Sequence, residues 1–140
     1  MKNIITASTH LTIEQVAQML LKCGRVTPDQ YRDILVKAPA QRAKLQKYQE
    51  SAYSRRLHQA ANIITPAEVI SSLNIQVPGQ PGRFLTEDMI TQDVAQELKI
   101  PYRKIDPLKL QLDVVTSHVA RPYAIRHLIV PLEEEAGTVT

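Results

Sequence analysis

Apolar residues recur at helical spacing along the first part of the chain, and polar stops interrupt them repeatedly. In "IEQVAQMLLKCG" the residues Ile13, Val16, Leu20 and Cys23 share one face, behind Thr12 as N-cap and ahead of Gly24 as C-terminal stop. Thr27-Pro28 restarts a helix with Tyr31, Ile34 and Leu35 inward, and Pro28 takes the first position, where its missing N–H is not needed. The two segments predict a short helical hairpin that Pro39 closes. The following "AQRAKLQKYQESAYSRRLHQAAN" predicts a long polar helix with a thin apolar stripe of Ala43, Leu45, Tyr48, Ala52 and Leu57.

Thr65-Pro66 repeats the cap pattern and opens "AEVISSLNI", two helical turns with Val69, Ile70 and Leu73 inward. "QVPGQPGR" is rich in Pro and Gly and predicts a loop. Thr86 then caps an amphipathic helix with Glu87 and Asp88 near its positive end and Met89, Ile90, Val94 and Leu98 inward. In "IPYRKIDPLKLQLDVV", Pro101 stops that helix and Asp106 caps the turn begun by Pro107, while Ile105, Leu108, Leu110 and Leu112 are expected to seal the domain. Beyond it, "LDVVTSHVARPYAIRH" predicts a short helix, a break at Pro122 and another turn; "LIVPLEE" predicts a strand, and Gly137 turns into "TVT". That last run is expected to be half of a hairpin continuing past Thr140, as in a fragment of a longer protein. The predicted fold is α+β and mostly helical. A helical hairpin and long helix occupy residues 1–60, and a small α/β domain with a short β-sheet near its C-terminus occupies residues 61–140.

Composition narrows the class. With a single Phe and no Trp, the core must come mainly from Leu, Ile, Val and Ala. Cys23 is the only cysteine, which excludes an internal disulfide framework and a cysteine-based zinc site and fits a reducing compartment. No apolar run reaches the roughly 18 residues of a membrane span, and the N-terminal "MKNIITASTHLT" is too short in apolar length for a signal peptide, so the expected location is cytoplasmic. The net charge of +3 is unevenly spread: Lys37, Arg42, Lys44, Lys47, Arg55 and Arg56 face only Glu50 between residues 37 and 60. A solvated helix face accounts for that stretch, and phosphate, anionic lipid or an acidic protein are the partners it could meet.

Catalytic patterns are not found. "PGQPGR" lacks the Lys-Ser/Thr of a phosphate-cradling loop and follows no predicted strand. His10, His58, His118 and His127 have no partner at metal-ligand spacing, and Ser54, Ser71, Ser72 and Ser117 belong to no Ser/His/Asp arrangement. Cys23 beside Gly24 reads as a small packed side chain.

The order "ITPAEVISSLNI", loop, "LTEDMITQDVAQELKIPYRKIDPLKL", "VVTSHVARPYAIRHLIVPLEEE" resembles the N-terminal domain of the type II secretion assembly ATPase, general secretion pathway protein E, and its type IV pilus relatives. The shared features are a helix ending in Leu-x-hydrophobic-Pro-Tyr, an Asp-Pro turn, and a segment closing on hydrophobic-hydrophobic-Pro-hydrophobic. The likeness covers residues 61–140 well and residues 12–36 loosely. It implies a non-catalytic docking or regulatory domain that links the ATPase to the cytoplasmic domain of an inner-membrane secretion protein, the L component, and so sits at the membrane only through that partner. ATP and Mg²⁺ are then expected in a downstream motor domain, with no cofactor in this part. Tyr102, Arg103 and Lys104, together with Arg121, Arg126 and His127 near the predicted strand entrance, are the candidate docking residues.

Two other functions merit comparison. Some relatives of that family bind cyclic di-GMP through Arg-Leu-Gly-x-x-Leu-x-x-x-Gly-x-Ile repeats; "QVAQMLLKCGRV" keeps Leu20, Gly24 and Val26 of that frame but has Gln15 in place of the Arg and Ala17 in place of the Gly. In that reading Arg25 and the basic residues of 42–56 would meet phosphate. The hairpin also resembles a helix-turn-helix, yet its second helix opens with Asp29 and Gln30, and Asp33 follows, an acidic start for a helix that would approach phosphates.

Overall fold

Threonine oxygens begin the first four helices. In the computed structural model, which describes residues 10–53, 64–127, 129–136 and 138–139, helix α1 spans Ile13–Lys22 and α2 spans Pro28–Tyr53. Helix α3 is Pro66–Ser72 and α4 is Glu87–Glu97. Thr12 Oγ1 accepts from the Gln15 amide at 3.2 Å while Gln15 Oε1 accepts from the Thr12 amide at 2.9 Å. Thr27 and Gln30 repeat this reciprocal box at 3.2 and 2.9 Å. Thr65 and Thr86 accept from Glu68 and Met89 at 3.1 and 3.3 Å. Each pair satisfies donors that a helix start otherwise leaves open.

Helix α1 ends as its Gly predicts. Gly24 has φ +71, its amide donates to Leu21, and the Arg25 amide reaches back to Leu20 at 2.9 Å. Helix α4 closes the same way with Lys99 at φ +56 and the Ile100 amide on Ala95.

The chain forms two compact units, residues 1–102 and 103–140. In the first, α1 packs against α2, α3 and α4, and α3 packs against α2 and α4. The core is aliphatic, as composition required. Leu20, Ile34, Val69, Ile70 and Ile90 are fully buried, joined by Val16, Ala17, Val26, Ala38, Val77 and Leu85. The boundary expected at residue 60 lies outside the described residues, and the elements on its two sides share this single core.

Three expectations change here, and the loop expected after α3 stands. Pro39 does not end the hairpin, because α2 runs through it for 26 residues. Pro39 lies on the exposed side, so water can reach the carbonyl four residues earlier that loses its N–H partner. Along the rest of α2 the inward stripe is Gln41, Leu45 and Gln49, while Ala43 and Tyr48 are exposed. Gln41 Nε2 donates to Ser72 Oγ at 3.1 Å and Gln49 Nε2 to Glu68 Oε1 at 3.4 Å, so polar contacts to α3 flank Leu45, which packs on the core as expected; the Ala52 side chain and Leu57 lie outside the described residues. Helix α4 turns Asp93 inward and leaves Leu98 at 42% exposure. The loop 77–83 is ordered into two successive turns, each with Pro second and a positive-φ Gly third: Gln80 donates to Val77 and Arg83 to Gln80, both at 3.1 Å. Bonds from Val77 to Arg83 and from Leu85 to Ile75, both 2.8 Å, zip its base.

The second unit holds a 3₁₀ turn at Pro107–Lys109, helices α5 (Leu112–Ser117) and α6 (Arg121–His127), and strands β1 (Glu134–Glu135) and β2 (Thr138–Val139). Asp106 caps the turn, accepting from the Leu108 amide at 3.1 Å. The strands pair antiparallel, Glu134 with Val139 and Glu135 with Thr138. Of the predicted strand "LIVPLEE" only the final Glu134 thus belongs to β1, since Pro131 cannot donate to a ladder. Of the expected apolar seal, Leu110 is half-buried and the other three residues are exposed. Ile105, Leu108 and Leu112 are 42%, 94% and 73% exposed, because a tight turn followed by a helix start points alternate residues in different directions. Mostly helical α+β stands as the fold class, with a minimal sheet.

Candidate functional site

The most tightly organised polar group joins the end of α1 to α4. Because the α1 terminus fixes Arg25 just past Gly24, its guanidinium meets Asp93 with both prongs: Nε to Oδ2 at 2.6 Å and Nη2 to Oδ1 at 2.8 Å. One turn further along α4, Glu97 accepts from Lys22 Nζ at 2.6 Å and from the Cys23 thiol at 3.6 Å. The hydrogen bond to Lys22 holds the Glu97 carboxyl below its ordinary range, and the same bond raises Lys22. Burial pushes the Cys23 thiol up, and the bond to Glu97 adds to it. A thiol kept protonated in this way is a poor nucleophile. The hydrogen bond to Asp93 raises Arg25. The group is a structural clasp, and sequence reasoning missed it. Arg25 was expected to meet phosphate in the cyclic-dinucleotide reading, and it is engaged by a carboxylate.

The basic residues of that reading which are described, Arg42, Lys44 and Lys47, stand exposed on α2; Arg55 and Arg56 lie outside the described residues. A recess of about 190 Å³ beside α2 has Ile34, Leu73 and Ile75 as its floor and the Asp33–Lys37 ion pair at its rim. That is smaller than the roughly 300–1,000 Å³ typical of small-molecule sites. Among the described residues no group of His, Cys, Asp and Glu could hold a metal ion, and no helix is long and apolar enough to cross a membrane.

The predicted docking residues fall into separate places. Tyr102, half-buried, is the last residue of the first unit, and Arg103 and Lys104 begin the second, both exposed. Arg103 pairs with Glu133. Arg121, Arg126 and His127 all lie on α6, exposed, rather than at a strand entrance. They do not share a face. At 3.6 residues per turn, Arg126 and His127 flank Tyr123, whereas Arg121 stands roughly 140° from Arg126 around the axis. The Tyr123 and His127 rings lie 4.2 Å apart between centroids, tilted by 39°. Tyr123 is therefore the residue missed there; its spacing of four from His127 was the available signal. His118, on the cap of α5, holds Glu134 of β1 at 2.9 Å and is part of the scaffold.

No family model matches the chain, and no curated protein or solved structure matches it.

Proposed function

We propose that the chain is a non-catalytic docking and regulatory domain of a type II secretion or type IV pilus-like traffic ATPase, linking the motor to the cytoplasmic domain of the inner-membrane L component. One observation carries the reading: the second unit presents Leu108, Leu112, Tyr123 and Ile129 at 94%, 73%, 55% and 45% exposure, with Arg121, Arg126 and His127 nearby in sequence. Large apolar side chains among charges supply what a protein interface needs, an apolar core and a polar rim. The order of elements supports it too. Helix α3, the double turn, α4, Pro101-Tyr102, the capped Asp106-Pro107 turn, α5 and α6 follow the sequence order on which the resemblance rests.

In this reading ATP and Mg²⁺ belong to the motor domain of the parent protein, and the domain sits in the cytoplasm, held at the inner membrane through its partner. Cyclic di-GMP sensing and nucleic-acid binding are the less supported readings. The first loses Arg25 to Asp93, and the second opens its recognition helix with Asp29, which lies 3.7 Å from Arg32. Calorimetric titration against the L-component cytoplasmic domain tests the proposal. Micromolar binding that Leu108→Asp and Leu112→Asp abolish is expected; no heat at tens of micromolar protein would sink it.

A further inference from the structure

The face of α6 that carries Tyr123, Arg126 and His127 has a charge pattern that selects its partner. From Val114 to Leu132 the chain contains no acidic residue, while His118, Arg121, Arg126 and His127 all fall in that span. Among the described residues three acids of this unit are engaged, Glu133 with Arg103, Glu134 with His118 and Asp106 in its turn, and the other two, Asp113 on α5 and Glu135 on β1, form no ion pair with Arg121 or Arg126. Neither Arg121 nor Arg126 meets a carboxylate among the described residues. Arg126 therefore offers an open guanidinium fork, beside a tyrosine ring 55% exposed and close in sequence to Ile129, 45% exposed.

Resting on the docking reading above, we infer that this face of α6 binds an acidic protein segment, a carboxylate pairing with Arg126 and an apolar side chain packing on Tyr123. The numbers favour protein over other anions. Membrane attraction brings about 1 kcal/mol per basic residue and takes clusters of four to eight, and duplex DNA is held through roughly six to ten phosphate contacts. One arginine and one histidine on the face give too little for either, so apolar burial on Tyr123 must supply the rest, and a folded or folding peptide brings both. Arg121 lies round the helix and takes no part.

A phage-displayed library of random short peptides panned on the full chain tests this without presupposing a partner. Enriched peptides should be acidic with at least one large apolar residue. Binding of the best synthetic peptide should weaken roughly tenfold or more in Arg126→Glu and in Tyr123→Ala, fall as salt rises, and change little in Arg121→Glu. All three side chains are exposed, and circular dichroism checks that the variants fold. No enrichment, enrichment without acidic bias, or equal losses in Arg121→Glu and Arg126→Glu would overturn the inference. The same variants titrated with the L-component cytoplasmic domain separate the two claims. Binding that ignores Arg126→Glu leaves the docking reading standing and removes this face from it, whereas acidic peptides that bind while that domain does not would retire the named partner alone.

Discussion

Removing either half of the Arg25–Asp93 pair should destabilise the first unit, and the two removals should be unequal. The Asp93 side chain is 8% exposed and that of Arg25 is 31% exposed. Arg25→Ala leaves a carboxylate buried without its cation, a change that costs about 3–5 kcal/mol in buried pairs. Asp93→Ala leaves an arginine that can turn its head into water, so the cost falls to that of the lost charged hydrogen bonds, about 1.5–3 kcal/mol. Converting both to Leu strands no charge and adds apolar contact near Ile90, one turn earlier on α4, so the double variant should lie within about 1 kcal/mol of the parent, or above it. Urea unfolding followed by circular dichroism at constant slope gives all three values. The order expected, from most to least damaging, is Arg25→Ala, Asp93→Ala, double Leu. A double variant as unstable as the two single losses summed, or single losses below about 0.5 kcal/mol, would show that the pair is an exposed ornament and that the burial argument is wrong.

Pro39 gives up one helical hydrogen bond within α2 on an exposed face, so Pro39→Ala should raise stability by about 1–3 kcal/mol in the same assay; a loss would mean that the ring shapes the helix for packing. Gly79 and Gly82 have φ +73 and +78 with nothing within 4 Å of an added Cβ, so Gly79→Ala and Gly82→Ala should each cost only the left-handed backbone penalty, about 1–2 kcal/mol, and larger losses would mean that the turns pack more closely than described. Glu97 has a lowered pKa in the fold, so its link to Lys22 stabilises above the carboxylate's unfolded value and is lost as pH falls through the folded one; Lys22, raised, keeps its share until pH climbs through its own folded value. The difference in melting temperature between parent and Glu97→Gln should therefore be level through neutral pH and close below about pH 4. A difference that persists in acid would assign the effect to packing. Because Glu97 also helps keep Cys23 protonated, the same variant should be alkylated faster at Cys23.

What local chemistry controls was readable in advance, and what depends on a distant partner was not. Thr12, Thr27, Thr65 and Thr86 announced their helices because a cap acts on an amide three residues away. Gly24 announced a stop because the backbone there needs positive φ. Asp93 gave no such sign. A carboxylate on a helix usually faces water, and its reason for being inside, Arg25, is 68 positions away in sequence. Pro39 misled for the opposite reason: the local rule forbids it within a helix, but an exposed face with water at hand and a core holding Ile34 and Ala38 overrides the rule. On α6 the charges are legible and the helix is not: Pro122 predicts a break but occupies the first turn of Arg121–His127, so sequence alone does not separate Arg121 from Arg126 and His127 or set Tyr123 beside them.

The two units differ in what holds them, and the difference bears on docking. The first closes an aliphatic core from four helices. Within residues 103–140 the second buries far fewer of its described apolar side chains. Among its described residues Val114 and Pro131 are buried, and its ties include the Asp106 cap, the Arg103–Glu133 and His118–Glu134 pairs, the Tyr123–His127 ring contact and a two-residue ladder. Exposed ion pairs of this kind contribute little, about 0.2–1 kcal/mol each. Leu108, Leu112 and Tyr123 thus hold the largest apolar contribution that the unit has not yet used. A partner that covers them would stabilise the unit in proportion to its concentration over its dissociation constant. On the docking reading proposed above, a variant that weakens docking through Leu108 should leave the first unit's unfolding unchanged while removing the partner's stabilisation of the second.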